Sequence, residues 1–297
     1  MMDEIKQTGS QNVQWRSLGL FLLLTFGFSW GPFAIAAALG QLDGEPVTGW
    51  VVATGMGVAF GAAAAAFLMR QFIAKERYAT ANLRWRVPLR YYLLALLLPI
   101  GWNSLGLLFK FLMGVSWFEG GPSVINLVSY VVSLLITTAI LFGEEFGWRS
   151  YCLEKLKPLG YRQALVLSGL IWGIWHVPFV IMPNFLIEDE LGPPLLAASG
   201  QIAFVTLLGI VIGWLYLSSG SVFVAMLMHG VSNTWASFWD VYQGGPDLNY
   251  AYTAWLWCVP LLLVIVILWQ RGHLAEFDQP VVYTNETRLG DVPSPTT

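Results

Sequence analysis

Three short segments of this chain combine carboxylate, imidazole and amide side chains, the groups with which proteins activate water. They are Glu144-Glu145-x-x-x-Arg149, His176, and His229-x-x-x-Asn233. Each lies in a long apolar stretch, and a single charge at the centre of a bilayer costs roughly 3 kcal/mol. Such residues are retained where they pair with one another or face water, so the pattern predicts a functional site within the membrane.

The first segment contains two adjacent acids that we expect to have different roles. Glu145 and Arg149 are spaced i, i+4, so they lie on one helix face and are predicted to pair. Glu144 lies about 100° round the helix and need not share that pair. A carboxylate without a fixed cation is suited to general base catalysis near neutral pH. Gly143 and Gly147 permit close approach of another helix. The alternative is that both acids are solvated at the helix end.

The other two segments place imidazole groups at similar depth. His176 lies about 12 residues into its apolar stretch, roughly 18 Å along a helix, with Trp172 one turn earlier on the same face. His229 and Asn233 share a face of another helix. An amide both donates and accepts, so Asn233 suits an oxyanion donor or a residue that orients histidine. The alternatives are a core histidine bonded to a backbone carbonyl and hydrogen bonds that only join helices. A single shared cavity, with a water-activating or metal-binding site, accounts for all three segments.

Composition identifies the elements that must position these residues. The chain has 297 residues, of which 56% are hydrophobic and 11% charged, with a mean hydropathy of +0.62. Soluble domains carry about 25% charged residues, so an all-α integral membrane protein is predicted, and no basic region favours nucleic-acid binding. Runs of about 20 apolar residues span a bilayer as helices. Eight such runs are present, at 17–39, 48–70, 91–115, 123–146, 164–183, 196–217, 221–239 and 251–270.

The loops between these runs alternate in charge. One set is basic and contains Lys75, Arg77, Arg84, Arg86, Arg90, Arg149, Lys155, Lys157, Arg162 and Arg271. The other set contains the acids Asp43, Glu45, Glu119, Glu188, Asp189, Glu190, Asp240 and Asp247. The positive-inside rule therefore predicts a multi-pass protein with both termini in the cytoplasm. We expect a cytoplasmic segment at 1–16, one membrane domain at 17–271 and a polar, disordered tail at 272–297. Cys152 and Cys258 show no metal-ligand spacing, and free thiols are expected.

At the three segments the chain resembles the CPBP family, which comprises the type II CAAX prenyl proteases and their bacteriocin-processing, Abi-like relatives. The motifs of that family are Glu-Glu-x-x-x-Arg, an aromatic residue-x-x-x-His, and His-x-x-x-Asn. Here they read Glu144-Glu145-x-x-x-Arg149, Trp172-x-x-x-His176 and His229-x-x-x-Asn233. The resemblance extends over roughly residues 90 to 270. Trp172 departs from the phenylalanine that is usual in the family.

The resemblance implies an intramembrane endopeptidase with eight helices around a cavity open to the cytosol and, sideways, to lipid. We expect the protein to be a monomer. It implies that Glu144 is a general base that works with His176 on water. His229 and Asn233 would form the oxyanion hole, with Glu145 and Arg149 as structural support. The implied substrate is a peptide bond near the C-terminus of a protein, a prenylated CAAX protein included. Short loops and the lack of targeting motifs are typical of a prokaryotic plasma-membrane protein.

The sequence leaves open whether a metal takes part. Glu144, His176 and His229 form an acceptable set of zinc ligands. Zinc would lower the pKa of a bound water to about 7 and remove the need for a strong base. The chain lacks His-Glu-x-x-His, and Asn233 fits an oxyanion donor better than a ligand, which favours a metal-free site.

Two non-enzymatic classes compete with a hydrolase. The first is a membrane immunity or scaffold protein that binds a peptide or partner helix in the same cavity. The second is a transporter, because buried acids and histidines also form proton relays. Transporters usually show internal repeats, and the ionisable residues here follow no repeat.

Overall fold

The computed structural model describes residues 13–38, 57, 60–183, 194–245 and 250–274. Eight long helices occupy these ranges and follow the predicted apolar runs, so the all-α fold class is confirmed. They are α1 Trp15–Ala38, α2 Phe60–Ile73, α3 Leu89–Leu112, α4 Val124–Gly147, α5 Tyr161–Pro183, α6 Pro194–Ser219, α7 Val222–Asp240 and α8 Tyr250–Gln270.

The chain is an integral membrane protein. Four helices in the described ranges are long and apolar enough to cross a bilayer, at Leu89–Leu112, Val124–Leu159, Leu195–Ser219 and Tyr252–Gln270. α5 and α7, which carry the two intramembrane histidines, are helical where predicted but are not among these four. The orientation of the termini stays a prediction. Residues 1–12 and 275–297, within the predicted N-terminal segment and tail, lie outside the described residues.

Helix packing places α4 and α7, two of the three motif-bearing helices, against each other. α5 packs along α6, α6 packs along α8, and α7 contacts both α3 and α4. The strand β1 (Trp117–Phe118) pairs antiparallel with β2 (Gln243–Gly244) and ties the segment after α3 to the segment after α7. Because α7 lies against α4, its histidine is carried next to the paired acids.

Glycines allow close contacts on both sides of α4. A Cβ on Gly147 would lie 2.7 Å from the carbonyl oxygen of Ala62 in α2, which confirms the predicted close approach at that glycine. A Cβ on Gly230 of α7 would lie 2.0 Å from the Thr138 hydroxyl in α4. The lack of side chains at these points sets how near α2 and α7 approach the acidic end of α4.

α5 and α6 meet through a similar contact, which a single methyl group should disturb. A Cβ on Gly173 would lie 2.8 Å from the carbonyl oxygen of Ile202. Gly173→Ala is therefore expected to destabilise the fold by about 1–3 kcal/mol through overpacking. Gly101→Ala in α3 is the matched control, because nothing lies within 4 Å of its added methyl group. The melting temperatures of both variants in detergent test this, and equal temperatures would contradict it.

Candidate active site

The two adjacent acids lie near the C-terminal end of α4, and this end is buried. Glu144 and Glu145 are 2% and 0% exposed, and Arg149 is 1% exposed. The alternative of two solvated interfacial acids is therefore wrong. Arg149 lies in a π-helical turn, Trp148–Leu153, that directly continues α4. Its Nε lies 3.2 Å from Oε2 of Glu145, so the predicted pair is confirmed. π-helical turns are rare in proteins, and those that occur often lie at functional sites.

Glu145 also joins α4 to α7. Its Oε1 lies 2.8 Å from Nδ1 of His229, which is 3% exposed. A carboxylate only accepts, so Nδ1 of His229 donates and the ring orientation is set by Glu145. This contact was not predicted from the sequence, which paired Glu145 with Arg149 alone. The available signal was that His229, in an apolar helix, required a polar partner from another helix.

Glu144 has a different partner, as expected from its angular separation from Glu145. Its Oε2 accepts a hydrogen bond of 3.0 Å from the indole Nε1 of Trp172 in α5. The Trp172 ring is 1% exposed, and the Arg149 guanidinium carbon lies 4.2 Å from its centroid. The neighbouring acids are thus held by different helices.

His176 is held by its own helix. Its Nδ1 lies 2.9 Å from the backbone carbonyl oxygen of Trp172. A carbonyl only accepts, so Nδ1 donates and Nε2 of the neutral ring keeps its lone pair. This is the backbone bond expected of a core histidine, but it satisfies only one of the two nitrogens. The Trp172 ring centroid lies 5.1 Å from those of His176 and His229, so the indole packs against both imidazoles.

Asn233 stands at the edge of this cluster. It follows His229 by one turn of α7, but its side chain is exposed whereas His229 is buried. The structure therefore brings together six of the seven predicted site residues and leaves the amide of Asn233 accessible. Accessibility suits a group that is to donate to a substrate.

A comparison with known families bears on this cluster. Residues 125–235 match the model for the type II CAAX prenyl endopeptidase Rce1-like family. That segment contains all seven predicted site residues, so the resemblance inferred from the motifs is confirmed there. The match supports CAAX-type intramembrane protease activity in general. A search of curated proteins finds no match.

The segment that matches the family model does not present the zinc ligand set that the sequence allowed. Within the described ranges, no group of three or more His, Cys, Asp or Glu side chains is arranged to hold a metal ion. The Glu144 carboxylate accepts a hydrogen bond from the indole of Trp172, and the same indole packs against both imidazoles. These residues, as placed, do not fit a zinc centre. Cys152 and Cys258 are free thiols, as expected.

A second buried arginine supports the turn that carries Arg149. Arg70, at the end of α2, is 2% exposed, and its Nη2 donates to the backbone carbonyl of Ser150 at 2.6 Å. Its guanidinium also lies over the rings of Phe146 and Tyr151, at 5.8 and 5.5 Å. Arg70 was not singled out from the sequence, where it only closes an apolar run. Its role depends on contacts with residues 146–151, which are distant in the sequence.

Proposed function

We propose that this chain is an intramembrane endopeptidase that hydrolyses a peptide bond near the C-terminus of its substrate, prenylated CAAX proteins included. The observation that carries the proposal is a cluster inside the family-matched segment, in which Glu144, Trp172 and His229 are buried and His176 is half-buried. A carboxylate and two imidazoles, held by three different helices, form a set that can move protons around one water molecule.

Glu144 is the general base of the proposed reaction. Trp172 occupies its Oε2, which leaves Oε1 to accept a proton from water, with Nε2 of His176 as a second acceptor for that water. The water oxygen forms a bond with the scissile carbonyl carbon as its proton passes to Glu144. The C–N bond then breaks, and the same proton passes to the leaving amine nitrogen.

His229 and Asn233 stabilise the oxyanion in this scheme. Glu145 accepts from Nδ1 of His229, so Nε2 is the nitrogen left for the substrate, and in the protonated ring it donates. The amide of Asn233, accessible one turn further along α7, supplies a second donor. Every step is carried by side chains of this chain, and none is routed through a metal.

The proposed membrane arrangement follows the loop charges. Residues 17–271 form one monomeric protease domain, with 1–16 and 272–297 on the cytoplasmic side of a prokaryotic plasma membrane. The cluster then faces a cavity open to the cytosol and to lipid, which would let a lipid-modified C-terminal peptide enter while its acyl or prenyl chain stays in the bilayer.

Cleavage of a farnesylated CAAX peptide by the purified full-length protein tests this function. We expect wild type to release a short C-terminal fragment, detectable by mass spectrometry, and His229→Ala to lower kcat by about 10²–10³-fold. His273→Ala is the matched control, because this histidine lies after α8 and contacts Trp214, outside the cluster. An intact peptide after incubation with folded wild type, or full activity of His229→Ala, would contradict the proposal.

A metal-removal arm tests the metal-free route. Dialysis against a chelator should leave kcat unchanged, because the residues of the cluster do not form a metal-binding set. Loss of activity that returns on addition of zinc would show that a metal takes part.

A further inference from the structure

Trp172 contacts both imidazoles of the cluster and donates a hydrogen bond to the acid Glu144. We propose that Trp172 is a positioning residue for Glu144: its indole N–H holds one carboxylate oxygen so that the other is aimed at the reacting water. The proposal rests on the proposed function, and assigns to Trp172 a role beyond that of a pocket wall.

The hydrogen bond between Trp172 and Glu144 is buried. Trp172 and Glu144 are 1% and 2% exposed, so bulk water does not reach the 3.0 Å contact between Nε1 and Oε2. An indole N–H only donates, so Trp172 is the donor and Glu144 the acceptor whether the acid is charged or protonated. In a low-dielectric site such a bond is stronger than in water, and it restricts rotation of the carboxylate.

The indole is itself held in place from several sides. The Arg149 guanidinium packs on its face at 4.2 Å. On α6, a Cβ on Gly209 would lie 3.4 Å from Cε3 of Trp172 and 2.9 Å from the Cα of Gly169, so the two helices close tightly over the ring. The Trp172 indole is therefore held rigidly where α5 and α6 pack closely, and its N–H fixes the direction of the Glu144 carboxylate.

Removal of the N–H should also change the pH dependence of cleavage. The titratable and charged groups around Glu144 are Glu145 on α4, Arg149 in the π-helical turn after it, His176 on α5 and His229 on α7. All of them remain in a Trp172 variant, whereas the bond that favours the charged carboxylate is lost. The acidic limb of the pH–rate profile is therefore expected to move to higher pH.

The test replaces Trp172 with benzothienylalanine, which keeps the shape of the ring and puts sulfur in place of N–H, and in parallel with phenylalanine. Both variants should lower kcat by about 10- to 100-fold, which corresponds to loss of one hydrogen bond to a charged group, with KM unchanged. Benzothienylalanine at Trp175 is the matched control. That indole is buried beside His176, and within the described residues its Nε1 has no hydrogen-bond partner, so wild-type kcat is expected.

The outcomes separate this proposal from the proposed function. Suppose the sulfur analogue at Trp172 keeps the kcat and pH profile of wild type while Glu144→Ala is inactive. The positioning role of Trp172 is then overturned, and the proposed protease function is retained. If wild type cleaves no peptide, the proposed protease function is wrong. Infrared spectra then still test the hydrogen bond from Trp172 to Glu144. The carboxyl band of Glu144 is identified by its absence from the spectrum of Glu144→Gln. The sulfur analogue at Trp172 should shift this band, and an unshifted band would overturn the proposal.

Discussion

Replacement of Glu144 with glutamine is expected to abolish peptide cleavage while the protein stays folded. Glutamine has the shape of glutamate, and its side-chain oxygen can still accept the hydrogen bond from Trp172. The amide cannot take a proton from water, so the contribution of general base catalysis, about 10²–10⁴-fold, is lost. The fold should tolerate the change, because it removes a buried charge while the hydrogen bond is kept.

The measurement is kcat/KM for the farnesylated peptide, together with the melting temperature in the same detergent. Glu119→Gln is a matched control, since the Glu119 carboxylate also accepts from an indole, that of Trp117, at 3.0 Å, but lies exposed beside β1. It should leave kcat/KM unchanged. Activity of Glu144→Gln within about tenfold of wild type would remove Glu144 from the role of base.

Loss of Glu145 is expected to have the largest effect on stability. The Arg149 guanidinium is only 1% exposed, and Glu145→Leu would remove the carboxylate that pairs with it. Among the described residues, neither terminal nitrogen of Arg149 has a hydrogen-bond partner, so Glu145 is its chief compensation. Removal of one member of a buried ion pair typically costs about 3–5 kcal/mol. Reversible unfolding by SDS in mixed micelles would measure this loss.

A second substitution separates the charge effect from the loss of packing. The double variant Glu145→Leu with Arg149→Met buries no unpaired charge, so it should recover most of the lost stability. It should stay inactive, because His229 then lacks the acceptor that orients its ring. Lys157→Met is the control, since it breaks a more exposed i, i+3 pair with Glu154 and should cost about 1 kcal/mol or less. A double variant less stable than Glu145→Leu alone would contradict the account.

Features that depend on neighbouring residues in one helix were predictable from the sequence. Lipid offers no hydrogen bonds to the backbone, so a long apolar run must form a helix, and where the structure describes these runs they are helical, in α1 to α8. The pairing of Glu145 with Arg149 follows from i, i+4 geometry, and the separate partner of Glu144 follows from its different angle on the helix.

Features that depend on how helices rotate against one another were decided only by the tertiary structure. The bond from His229 to Glu145 links residues 84 positions apart, and the bond from Trp172 to Glu144 links residues 28 apart. The unsuitability of the cluster for zinc and the exposure of Asn233 follow from the same packing. In a membrane protein the lipid-facing and protein-facing sides of a helix are both apolar, so hydropathy does not reveal which side faces a neighbour. The sequence by itself therefore determined the helices and the types of reactive group they carry, and close packing at glycines such as Gly147 and Gly230 decided which of those groups touch.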